Sequence, residues 1–186
     1  MNILLNFVQN PGAEINAIMQ NRRISFALLG YACGALSLMM SIALENLGNY
    51  GMIAFIAGFI GLLVFNLLVG FFFAASAHLL MELTGGKSSA AGLFVLLGLS
   101  EIAKTLLVAF AISAVAFPGL LAMRPLAVLA VLGLQIFFVI YMMQKAYGIT
   151  KTHTFFAMMA SFMPSIISLF AVGFLFMGFL FWIILK

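Results

Sequence analysis

Glu101 and Lys104 stand one helical turn apart inside an otherwise apolar run. That spacing lets an acid and a base on one helix face pair. A lone charge at mid-membrane costs about 2.5–3.5 kcal/mol, so pairing removes much of the penalty. His78 and Glu82, four apart, also share a helix face. They could supply half of a metal site, with Glu101 as a third ligand, or hydrogen-bond at a membrane interface. Asn66 and Gln135 fall near the centres of two further apolar runs, and Ser161, Ser165 and Ser168 recur at helical spacing in a last one. These intramembrane polar groups either hydrogen-bond between helices or line a polar conduit. The main polar site is expected where two helices end around a tight turn. It gathers His78, Glu82, Lys87, Glu101 and Lys104, with His78 as the pH-sensitive member.

The composition dictates the setting for that chemistry. Only 6% of residues are charged and 66% are hydrophobic. A soluble domain carries about a quarter charged residues, so this chain reads as an integral membrane protein. The formal charge of +4 is scattered through apolar runs. It fits contact with anionic lipid headgroups and does not suggest nucleic acid. Cys33 is the only cysteine, which excludes an internal disulfide. There is no aspartate, and neither histidine lies near a nucleophile–base–orienter set. Gly85-Gly86-Lys87 lacks the full Gly-xxxx-Gly-Lys-Ser/Thr pattern of a phosphate-binding loop and the strand that precedes it. No enzyme activity, cofactor or metal is therefore expected.

Five apolar runs must position these residues. A crossing needs roughly 20 residues. The runs are Ile24 to Leu44, Met52 to Met81, a span within Ser88 to Phe117, Pro125 to Lys145, and Thr154 to Leu185 with Pro164 as an expected kink. Ahead of them, residues 1–23 form a short amphipathic segment. Asn10-Pro11 opens a helix, Glu14 suits its first turn, and Ile15, Ile18 and Met19 share a face that would lie on the membrane. The expected fold is all-α: a bundle of five transmembrane helices over residues 24–186 with that N-terminal helix. Gly30 with Gly34, Ala54 with Gly58, and Ala57 with Gly61 form small-xxx-small steps that suit close helix packing.

The depth of Glu101 follows from where the third crossing starts. A start at Ser88 puts it near the midplane. A start near Gly98 puts it at the interface, and a hydrocarbon core of about 30 Å favours this second reading. The positive-inside rule sets the orientation. With the N-terminus in the cytoplasm, Arg22, Arg23, Lys87, Lys145 and Lys151 fall inside and only Arg124 and Lys186 outside.

Several short motifs resemble a known family. They are His78-Leu79-Leu80, Gly85-Gly86-Lys87-Ser88-Ser89 followed by Gly98, the opening Asn10-Pro11, and Tyr147-Gly148-Ile149-Thr150 before the last span. Together they resemble the Yip family of five-helix membrane proteins, named for interaction with Ypt/Rab GTPases, in its prokaryotic form. The resemblance implies the five-span topology, a prokaryotic inner membrane and a role in organising membranes. The function it implies is that of a non-enzymatic organiser or adaptor working through lipid and protein contacts. Its partners would be membrane lipids, anionic ones among them, and a second copy or another membrane protein. The alternative is a small transporter or channel using Glu101, Lys104, Asn66 and Gln135. A polar cavity reaching those residues would favour the alternative.

Overall fold

The computed structural model describes Ile15, Ala17 and Ile18, then residues 24–46, 51–86 and 88–184, with side chains as far as Leu175. The described residues form helices α1 (Ile24–Glu45), α2 (Met52–Leu83), α3 (Ala90–Ser100), α4 (Thr105–Ala116), α5 (Arg124–Tyr147) and α6 (Lys151–Ile184). A 3-10 turn over Glu101–Lys104 joins α3 to α4 into one rod, and a second over Pro118–Met123 leads into α5. Counting α3 and α4 as one rod, five helices are long and apolar enough to cross a membrane. α2, with 32 residues, is about 48 Å long at 1.5 Å per residue, well beyond a hydrocarbon core of about 30 Å.

Polar turns end these helices by hydrogen bonding. Thr84 and Gly86 both bond through their N–H to the Met81 carbonyl, at 3.2 and 2.9 Å. Gly85 makes the reversal possible at φ +85°, which a side chain would oppose. The Ser89 hydroxyl then caps α3 by accepting from the Gly92 N–H at 3.2 Å. The turn between α5 and α6 uses Gly148 in the same left-handed region, its N–H closing on Gln144.

Packing is tightest where side chains are smallest. α1 crosses the α3–α4 rod with Gly30 directly against Gly98, so close that a Cβ on Gly30 would overlap the Gly98 carbonyl oxygen. One turn further along α1, Gly34 faces Glu101, and a Cβ there would lie 2.8 Å from the Glu101 Cβ. The Gly30–Gly34 step thus serves packing within the chain. In the α2 steps Ala54, Ala57 and Gly61 are exposed, and a Cβ on Gly61 would meet no other described element within 4 Å. α6 packs along α2 and, less extensively, along α5.

One expectation changes here. Ile15 and Ile18, expected to face the membrane, are 0% and 5% exposed and belong to the main core with Met81, Met142 and Tyr147. Each buried aliphatic side chain gives up water-accessible area to protein rather than to lipid. Asn10, Pro11, Glu14, Met19, Arg22 and Arg23 lie outside the described residues. Pro164 sits within α6, which continues as one helix past it.

At the opposite end from Gly85 and Gly148, Arg124 Nη1 lies 2.5 Å from Glu45 Oε2. The Glu45 side chain is only 5% exposed. This is an ion contact without hydrogen-bond geometry, since Oε2 has no hydrogen-bond partner among the described residues. It fastens the end of α1 to the start of α5.

Candidate functional site

The site is built around the 3-10 turn. In a 3-10 helix residues i and i+3 eclipse one another, whereas on an α-helix they are offset. The tightening over Glu101–Lys104 therefore stacks the two side chains, and Lys104 Nζ donates to Glu101 Oε2 at 2.5 Å. Both side chains are largely buried, at 14% exposure for Lys104 and 10% for Glu101. Ser100, just before the turn, returns its hydroxyl to the Leu97 carbonyl at 2.6 Å, a bond within the helix.

Two other helices complete the cluster. Gln135 on α5 donates through Nε2 to Glu101 Oε1 at 2.5 Å. Asn66 on α2 donates through Nδ2 to Glu101 Oε2 at 3.3 Å. An ionised carboxylate only accepts, so both carboxamides turn their nitrogens towards it. Their oxygens, and the remaining N–H donors of Lys104, have no partner among the described residues. Glu101 is thus the hub of an ammonium and two carboxamides drawn from three helical rods.

A cavity of about 310 Å³ lies against this hub. Asn66, Glu101, Lys104 and Gln135 all line it, and α1 and α6 contribute Tyr31, Met158 and Phe162. The Tyr31 ring packs against Phe94 at a tilt of 38°, with centroids 5.1 Å apart. Its hydroxyl is directed at Gly70, where a Cβ would collide with it, and lies 3.5 Å from the Phe94 carbonyl. On the α5 and α6 side the wall is formed by Leu132, Ile136 and Phe162, each about 40% exposed.

The expected five-residue site divides in two. Glu101 and Lys104 join Asn66 and Gln135 halfway along the bundle. His78 instead pairs at the Gly85–Gly86 end, where its Nδ1 lies 2.9 Å from the Tyr147 hydroxyl and its Nε2 3.4 Å from Glu82 Oε1. Glu82 is half exposed. No hydrogen bond or ion pair links the two groups among the described residues, because His78 lies about three turns along α2 from Asn66. Lys87 lies outside the described residues. No three His, Cys, Asp or Glu side chains among the described residues are close enough to share a metal. The rod from Ala90 to Ala116 is continuous, and Glu101 stands near its middle, opposite the middles of α2 and α5.

The serines behave locally. Ser161 and Ser165 donate to the Ala157 and Ser161 carbonyls of their own helix, both at 2.5 Å, and do not bridge helices. These bonds flank Pro164, whose missing N–H leaves one backbone carbonyl of that turn without its usual donor. Ser168 is partly buried and bonds to no described side chain.

Tyr147 was not singled out as a polar partner from sequence, because a tyrosine at a helix end gives no directional signal. Its hydroxyl holds His78, and its ring lies against Gly86. Tyr147→Phe removes one partly buried hydrogen bond and keeps the ring. It is expected to cost about 1 kcal/mol, read as a lower melting temperature in detergent. An unchanged melting temperature would mean that His78 and Tyr147 do not support one another.

Compared with protein-family models, curated proteins and solved structures, the chain matches none.

Proposed function

We propose that this chain is an integral membrane protein, inserted through its five long apolar helices, and that it works as a small transporter with its solute site at the Glu101 cluster. The observation behind this reading is the cavity. A network that only fastened helices together would satisfy its own groups and exclude space. Here Asn66, Lys104 and Gln135, whose carboxamide oxygens and remaining ammonium donors have no partner among the described residues, line about 310 Å³. Partly buried groups with spare hydrogen-bonding capacity beside a cavity are what a solute site requires. The orientation is the one the basic residues favour, with Lys145 and Lys151 at a cytoplasmic end and Arg124 outside. The prokaryotic inner membrane is the setting that the Yip likeness suggests.

The organiser or adaptor role has one observation in its favour. Residues carrying the likeness meet at one end of the bundle, where His78 and Gly86 both touch Tyr147. That end would be the surface for lipid or a membrane partner.

Counterflow of radiolabelled carboxylates, amines, amides and zwitterions into proteoliposomes separates the readings. Transport predicts accumulation of at least one class above protein-free liposomes, and at least a tenfold loss in a folded Glu101→Leu/Lys104→Leu protein. No accumulation of any class with folded wild-type protein would leave the adaptor role in its place.

A further inference from the structure

The cavity is chemically polarised along the bundle axis. Asn66, Glu101, Lys104 and Gln135 mark one end. From Asn66 and Glu101 the apolar lining continues towards the Gly85–Gly86 end, while on α5 it extends from Gln135 to Ile136 and Val139 on that side and to Leu132 on the other. Leu97 lies one turn from Glu101, Val139 one turn from Gln135, and Phe73 two turns from Asn66. Seven residues of helix span about 10 Å. The cavity is therefore a pocket of that length with a charged, hydrogen-bonding head and an apolar body. Phe73, Val139 and Met158 in the body are buried.

Its charge is already balanced, one carboxylate against one ammonium. A solute bearing a single net charge would leave one charge uncompensated in a low-dielectric interior, which is costly. A zwitterion avoids this. Its ammonium can take the Glu101 carboxylate and its carboxylate the Lys104 ammonium, so each charge keeps an opposite partner and the net charge stays zero. The Asn66 and Gln135 oxygens can accept the remaining ammonium donors. At about 30 Å³ per water-sized group, the cavity holds roughly ten heavy atoms. That is about the size of free leucine, isoleucine or methionine, with the side chain filling the apolar body.

We infer that the cavity binds a zwitterionic α-amino acid with an apolar side chain, its head against the Glu101–Lys104 pair and its side chain among Phe73, Leu97, Val139 and Met158. This deepens the transport reading and rests on it.

Equilibrium binding of tritiated leucine to the full chain in lipid nanodiscs tests it, with empty nanodiscs as background. Saturable binding of one leucine per chain is expected. Competition by 4-methylpentanoate or isopentylamine, each with half of the head, should be at least tenfold weaker than by leucine. Glycine, which has the head alone, should also be at least tenfold weaker. Glu101→Gln and Lys104→Met should each abolish binding. Val139→Phe, which fills the body, should lose leucine and retain alanine, so that a folding failure is distinguished from a blocked pocket. Absence of saturable leucine binding, or half-head analogues competing as well as leucine, would overturn the inference. If another solute class still accumulates in proteoliposomes and that accumulation depends on Glu101 and Lys104, the amino-acid assignment falls and transport stands. If neither binding nor accumulation occurs, both fall.

Discussion

Changing Lys104 to leucine is expected to destabilise the protein by about 3–5 kcal/mol, because it leaves the Glu101 carboxylate buried without its ammonium. Asn66 and Gln135 still donate to that carboxylate, but neutral donors do not cancel its charge. Glu101→Leu should cost a similar amount, since Glu101 is the sole hydrogen-bond partner of Lys104 among the described residues. The double change removes both charges and leaves two carboxamides short of one bond each. It should cost less than the sum of the single changes by at least about 2 kcal/mol. A double-mutant cycle on unfolding in detergent reads this coupling directly. Additive effects would show that the two side chains do not support one another, and the charge-balance argument for a zwitterionic solute would lose its basis.

The second large effect is steric. Gly30→Ala should cost more than about 3 kcal/mol, at or above the upper end of ordinary overpacking. The new methyl meets the Gly98 backbone carbonyl, which has no rotamer to move into. α1 would have to withdraw from the α3–α4 rod, and Gly34 would lose its approach to Glu101. Gly61→Ala is the matched control. It adds the same methyl where no other described element lies within 4 Å, and should leave stability unchanged within about 1 kcal/mol. Equal melting temperatures for the two variants would mean that the Gly30–Gly98 crossing is not a close backbone contact.

The five helices were legible because each is a long apolar run closed by glycine, proline or polar residues, and hydropathy alone finds such runs. The Glu101–Lys104 pairing was legible too, as a local spacing. What the hub gathers was not. Asn66, Gln135 and Glu101 are far apart in sequence, and only the packing of α2, α5 and the α3–α4 rod brings them together. The 3-10 turn left no mark either, since Glu-Ile-Ala-Lys has the composition of an ordinary helical turn. The Gly85-Gly86 turn suggested that both helix ends would share one site. Glu101 instead lies more than two turns beyond the start of α3, too far from His78 to join it. Ile15 and Ile18 have the pattern of a lipid-facing stripe, and the same pattern equally serves a helix packed on protein.

A solute site at the Glu101 cluster must be reached by water, and cysteine labelling tests this most directly. Cys33 is the only native cysteine and is exposed, so Cys33→Ser supplies the background. Gln135→Cys places a thiol in the cavity wall, while Phe137→Cys, at a position 63% exposed on the apolar surface, places one towards lipid. In proteoliposomes the small cationic reagent 2-aminoethyl methanethiosulfonate reacts rapidly only with thiols in contact with water. The account predicts labelling at position 135 at least tenfold faster than at position 137. Equally slow labelling at both positions would contradict it, because the Glu101 cluster would then be sealed inside the bundle with no solute site.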